Sequence, residues 1–95
     1  MAVINHQAVH NTIDLKYARV SVAPVTIAAK DTLRVAVPLQ GATTTHFANA
    51  TFAFDNANLS LAVKSNSNVV YVFITNHSSE PITTINTTLS VVTYT

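Results

Sequence analysis

Apolar and polar residues alternate along most of this chain, and where the alternation stops the residues are turn formers. Residues 32–38 give the clearest case. Leu33, Val35 and Val37 fall on one face, with Thr32, Arg34 and Ala36 on the other. A period of two is that of a strand with one buried face. Pro38 has no N–H to give to a ladder, so it ends this strand or places it on an edge. Residues 17–22 alternate in the same way, Tyr17, Arg19 and Ser21 against Ala18, Val20 and Val22, until Ala23-Pro24 interrupts. Residues 25–28 resume as a short strand. Residues 50–54 put Phe52 and Phe54 on one face, and residues 59–64 set Leu59, Leu61 and Val63 against Ser60, Ala62 and Lys64. In the last segment Leu89, Val91 and Thr93 oppose Ser90, Val92 and Tyr94.

One stretch breaks the alternation differently. Residues 69–74, VVYVFI, are apolar throughout and mostly β-branched or aromatic. Residues 66–68 and 76–79 bound the run with Asn and Ser. Such a run reads as a central strand buried on both faces, and its β-branched content favours a pleat over a helix. Turns are predicted at Lys30-Asp31, at residues 40–42, 55–58 and 65–68, and over 76–81. Gly41 is the only glycine in the chain, and its place in a turn calls for a positive φ. Residues 46–49 are ambiguous. The pattern therefore predicts about seven or eight short strands at roughly 8–12-residue spacing, the signature of an all-β, antiparallel β-sandwich or barrel. Residues 1–16 show no clean period and are read as an extended N-terminal arm. Residues 17–95 form the β-sandwich domain.

Composition changes this picture in one respect. Charged residues make up 9 % of the 95 residues, against about 25 % in ordinary soluble domains. Thr, Ser and Asn stand in their place. Free monomers ordinarily carry a more charged exterior, so the composition fits either a neutral, Thr-rich surface of the kind many extracellular β-domains have or, the reading preferred, a surface covered in an assembly. A net charge of +1 without a basic cluster gives no footing for nucleic acid. Cysteine is absent, which excludes disulfides and thiolate metal sites. Residues 1–9 lack the basic and apolar regions of a secretory signal, and no apolar run nears the ~20 residues needed to cross a bilayer, so no membrane partner is expected.

Candidate chemistry is thin. His6 and His10 have a metal-ligand spacing only on a helix, which Asn5, Asn11 and Thr12 disfavour. A site would also need His46, His77 or Asp14 nearby. Asp14, Asp31, Asp55 and Glu80 fall in the arm or in turns, the opposite of the paired, partly buried carboxylates of glycoside hydrolysis. A single glycine leaves room for neither a nucleophile elbow nor a phosphate loop. The chain is read as no enzyme, with no metal, no cofactor and no small-molecule substrate. Tyr17, Tyr71 and Tyr94 are candidates for an aromatic platform, although tyrosines on strands more often serve core or interface. Sequons stand at Asn49, Asn58, Asn76 and Asn86, where a chain this rich in Asn, Ser and Thr gives about two by chance, and without a secretory signal glycosylation is not expected.

Over residues 32–95 the segments TLRVAVPLQGA, ANLSLAVKSNSNVVYVFITNHSSEPI and LSVVTYT resemble small β-domains in virion accessory proteins of tailed bacteriophages. The shared pattern is an alternating strand ending in Gly41-Ala42, a Leu-rich segment, the strand from Asn68, an Asn76-to-Ser78 turn and a closing strand. Residues 43–46 and 55–58 depart from it, replacing a Gly-Asp and a Pro-Gly. The resemblance implies a jelly-roll-like sandwich, commonly trimeric, serving as capsid decoration or cement, or in head fibres and tails. The expected function is a non-enzymatic virion structural protein, a cement protein on the capsid surface, assembled in the host cytoplasm. Its expected partners are itself, as a homotrimer, and the major capsid protein. A receptor- or carbohydrate-binding module of a fibre or tail is the alternative. The arm residues Val3, Ile4, Val9, Ile13 and Leu15 are the expected capsid or protomer contacts.

Overall fold

The computed structural model describes residues 15–95, which are all-β with antiparallel pairing throughout. Eight strands follow in order: β1 Lys16–Val22, β2 Thr26–Ile27, β3 Thr32–Pro38, β4 Phe47–Phe52, β5 Leu59–Asn66, β6 Val69–Asn76, β7 Ile82–Thr83 and β8 Thr87–Tyr94. One three-stranded sheet has the order β1-β8-β4, the other β3-β6-β5, and β2 pairs with β7 between them in sequence. The β1–β3, β3–β4, β4–β5 and β6–β8 connections each pass from one three-stranded sheet to the other.

The pairing is simpler than the strand order suggests. β1 with β8, β2 with β7 and β3 with β6 form one two-stranded ribbon that runs from Lys16↔Thr93 to Pro38↔Val69. Between Val22↔Thr87 and Thr26↔Thr83 three residues are skipped on each side, so the register is kept. Ala23-Pro24 falls in this gap, where no ladder N–H is required. Thr84, 2 % exposed, bridges it: its N–H donates to the Val25 carbonyl at 2.9 Å, and the Val25 N–H donates to its Oγ1 at 3.1 Å. Between Ile27↔Ile82 and Thr32↔Thr75, residues 28–31 face residues 76–81. Two extra residues on one side force a corner.

Asn76 occupies that corner. It closes β6 and is fully buried. Its Nδ2 donates to the carbonyls of Ile27 at 3.0 Å, Ala28 at 3.3 Å and Glu80 at 2.8 Å. Its Oδ1 accepts from the N–H and the hydroxyl of Ser78, at 2.9 and 2.8 Å. Its backbone N–H donates to the Asp31 carbonyl at 2.9 Å. A buried amide with its hydrogen-bonding capacity used in this way fixes both strands of the ribbon where the ladder is missing. Lys30 adopts a φ of 61° in the facing turn, which lies at the predicted Lys30-Asp31 turn, and its Nζ donates to the His77 carbonyl.

The core takes one side chain in two from each strand. Val70, Val72 and Ile74 of β6, Val37 of β3, Leu89 and Val91 of β8 and Ile27 of β2 form one buried cluster with Leu39 and Ala42. Fully burying a Val, Leu or Ile side chain contributes about 1.5–3 kcal/mol, so these residues dominate the favourable side of folding. β6 is central in its sheet, as its apolar run predicts. It is not buried on both faces: Val70, Val72, Ile74 and Asn76 are buried, while Val69, Tyr71, Phe73 and Thr75 are half-buried. The outer row is partly covered by neighbours, with the Arg34 guanidinium 5.0 Å from the centre of the Tyr71 ring. The predicted turn at residues 65–68 is shorter than its composition suggests. Asn66 pairs with Val69, leaving Ser67-Asn68 as the hairpin loop. Asn68 takes a φ of 59° and its Oδ1 accepts from the Gly41 N–H at 2.9 Å. Gly41 itself has a φ of 90°, the left-handed conformation its place in the sequence calls for.

Two substitutions test this account. Asn76→Ala strips donors from buried carbonyls, and each buried group left unpaired costs about 1–3 kcal/mol. The expected loss is about 2–4 kcal/mol in urea unfolding; a loss under about 1 kcal/mol would remove Asn76 from its central role. Thr93 is fully buried on the inner face of β8, and its Oγ1 has no hydrogen-bond partner. Thr93→Val should therefore stabilise the protein by about 1 kcal/mol, because replacing an unpaired buried hydroxyl with a methyl removes a desolvation cost. Differential scanning calorimetry reads the change.

Candidate interaction surface

Strand alternation sends the odd residues of β1 outward. Register then sets their neighbours: Tyr17 faces Val92, and Val92 faces Asn49 of β4, while Tyr94 faces Phe47. The outer face of the β1-β8-β4 sheet thus gathers Tyr17, Val92, Tyr94 and Phe47 at one end. Tyr17 is 73 % exposed and Phe47 64 %. The Phe47 and Tyr94 rings lie 5.6 Å apart, tilted by 31°. Leu15, just ahead of β1, is 67 % exposed. Arg19 is the one charged residue among the outward residues of these three strands. Exposed aliphatic and aromatic side chains grouped without charge mark an interaction surface, whereas single exposed apolar residues mean little.

Of the arm residues expected to make contacts, Leu15 lies at this patch. Val3, Ile4, Val9 and Ile13 fall outside the described residues, as do His6, His10 and Asp14. Tyr17 and Tyr94 come together on one sheet face, whereas Tyr71 belongs to the other sheet under Arg34. Phe47 sits in the stretch whose pattern is ambiguous. Its signal lies only in register, because it continues the outward row of β4.

A second apolar feature lies where β4 gives way to β5. Phe52, Phe54, Asp55, Asn56, Leu59 and Leu61 line a groove of about 260 Å³. Leu61 belongs to the inward row of β5 and pairs with fully buried Ile74, yet it is 37 % exposed. Phe52 pairs with buried Leu89 on β8 and is itself half-buried, its ring 6.2 Å from that of Phe54. β4 and β5 are both sheet edges. The groove is therefore an opening onto core-facing side chains at two free strand edges.

The polar groups offer little chemistry beside these surfaces. His77 and Ser60 share a hydrogen bond of 2.6 Å between Nε2 and Oγ, an encounter seventeen residues apart in sequence that the pattern does not reveal. Nucleophilic catalysis also needs a group orienting the imidazole and donors for the oxyanion. No carboxylate bonds to His77 among the described residues, and Ser60 and His77 are both exposed. The pair pins the start of β5 beside the ribbon corner, where the His77 N–H also donates to the Asn58 carbonyl at 2.8 Å. Asp31, Asp55 and Glu80 are exposed in turns or loops, and no group of three His, Asp or Glu among the described residues has a metal-binding arrangement. Hydroxyl pairs face each other across strands instead, Thr26 with Thr83 and Thr32 with Thr75, each at 2.8 Å. They account for part of the Thr-rich exterior. The Asn76 sequon is buried and closed to a glycosyltransferase in the folded state.

Incubation with a fluorophosphonate should leave Ser60 unmodified by intact mass, since an isolated Ser–His contact does not make an activated nucleophile; stoichiometric labelling would restore a catalytic reading. Against known proteins, the chain matches no family model, no curated protein and no solved structure.

Proposed function

We propose that this chain is a non-enzymatic structural protein of a bacteriophage virion, a cement or decoration protein that binds the capsid surface as a homo-oligomer. In this reading the two three-stranded sheets face one another as a β-sandwich wound like a jelly roll. A ribbon that crosses from sheet to sheet, with one shared cluster of buried side chains, supports that winding. The observation that carries the function is the uncharged outer patch of Leu15, Tyr17, Phe47, Val92 and Tyr94. Charge is depleted and aromatic residues are enriched at the centres of protein interfaces. Each docked copy stabilises the assembled shell by mass action, since it binds the assembled state in preference to free subunits.

The test is a double variant, Tyr17→Lys with Phe47→Lys, added to virions from which the protein has been stripped. Loss of at least ten-fold in capsid occupancy, with an unchanged melting temperature, is expected, because two lysines in a desolvated patch leave unpaired charge. Unchanged occupancy rejects this face as the docking surface. The ring pair of exposed Phe47 and half-buried Tyr94 also admits a sugar-binding platform. Binding on a glycan array, together with no association with capsids, would replace the cement reading by a fibre or tail receptor-binding one.

A further inference from the structure

We infer that the groove at the β4–β5 edge is an acceptor site for the N-terminal segment, residues 1–14, of a second copy of this chain. The inference rests on the homo-oligomer part of the reading above and gives it a mechanism. The acceptor is built from inward-row residues that their own chain leaves open: Phe52, Leu59 and Leu61, with Phe54 from the connection between the strands. Free edges of β4 and β5 flank it. An extended segment with apolar side chains suits such a place, because the edges supply unpaired N–H and C=O groups and the groove takes side chains.

Residues 1–14 have the matching chemistry. Val3, Ile4, Val9 and Ile13 are apolar, and Asp14 is the one carboxylate or fixed cation in the segment. Fully extended, fourteen residues reach up to about 46 Å.

Direction decides between the neighbour's groove and the chain's own. β1 and β4 are both antiparallel to β8 and therefore parallel to each other. Lys16 and Ala48 both lie opposite Thr93, and Val20 and Phe52 both lie opposite Leu89. The chain ahead of Lys16 thus leaves the sheet at the Ala48 end, away from the Phe52 end where the groove lies. To fill its own groove the segment would have to reverse and travel back along the sheet past the span from Ala48 to Phe52. A groove on a copy that lies beyond the Ala48 end is reached without that reversal.

Because the chain has no cysteine, introduced thiols report contacts without background. Purified Val3→Cys protein is mixed with purified Leu61→Cys protein, and the double variant is prepared separately. After mild oxidation, the expected product is a mixed dimer containing one chain of each variant, at least ten-fold above the homodimers formed by either variant alone. Deleting residues 1–14 should convert the native oligomer to monomer by light scattering, with the strand signal in circular dichroism retained. An internally cross-linked monomer from the double variant, with no mixed dimer, overturns the inference in favour of the chain's own groove. No cross-link in either preparation overturns it outright. An oligomer that survives the deletion overturns it too, while leaving capsid docking through the β1-β8-β4 face to stand or fall on Tyr17→Lys and Phe47→Lys.

Discussion

A single amide holds the ribbon together where its backbone ladder fails. Between β2–β7 and β3–β6 the two sides differ by two residues, and no continuous register can span the mismatch. Asn76 substitutes for the missing ladder, collecting carbonyls from residues 27, 28 and 80 and ordering the turn through Ser78. The cluster below depends on this. Ile74 and Ile27 reach the core from strands that lead into the corner, so their positions follow from the length and angle of the bend. A polar residue is thus placed among valines and isoleucines to specify geometry. Its net stabilisation is modest, while leaving its partners unpaired is costly.

The two apolar surfaces have different origins. The patch of Tyr17, Phe47 and Tyr94 is an outward face, apolar because Arg19 is the one charged side chain on the solvent side of the three strands. The groove at Phe52, Phe54, Leu59 and Leu61 is an inward row left open where β4 and β5 each end their sheet without a hydrogen-bonded strand on the outer side. The first is a surface that can be covered by anything flat and apolar. The second has depth, free backbone groups at its rim and room for a few side chains. One has the shape for a broad contact and the other for a segment.

Much of the strand layout is legible from alternation alone, because a period of two survives any arrangement of neighbours. β3 coincides with residues 32–38, and the inward rows of β1, β5 and β8 are those the pattern marks. Legibility ends where a residue's role is set from far away in the chain. Asn76 follows an apolar run, and by composition it opens a loop; only the carbonyls of Ile27 and Ala28 make it a buried strand residue. The run at residues 69–74 looks two-sided because valine and tyrosine are equally at home on a half-covered face. Leu61 is correctly inward by pattern, but its exposure follows from standing on an edge, and edge order is not written in periodicity. Leu15 and the tyrosines are visible as candidates, whereas Phe47 joins them only through its register with Tyr94.

The ribbon also sets the order of events when the chain acquires its structure. Its ladder joins Lys16 to Thr93, so the widest loop must close before β1 has any partner at all. The β5–β6 hairpin, closed by Ser67-Asn68, is the local exception and the natural place for pairing to begin. By sequence separation β3 adds next to β6 and β4 to β8, and β1 has the farthest partner. Pairing over such long separations slows folding by orders of magnitude relative to helical proteins of equal stability. On the ribosome, β1 must wait for almost all the remaining residues before it can be protected.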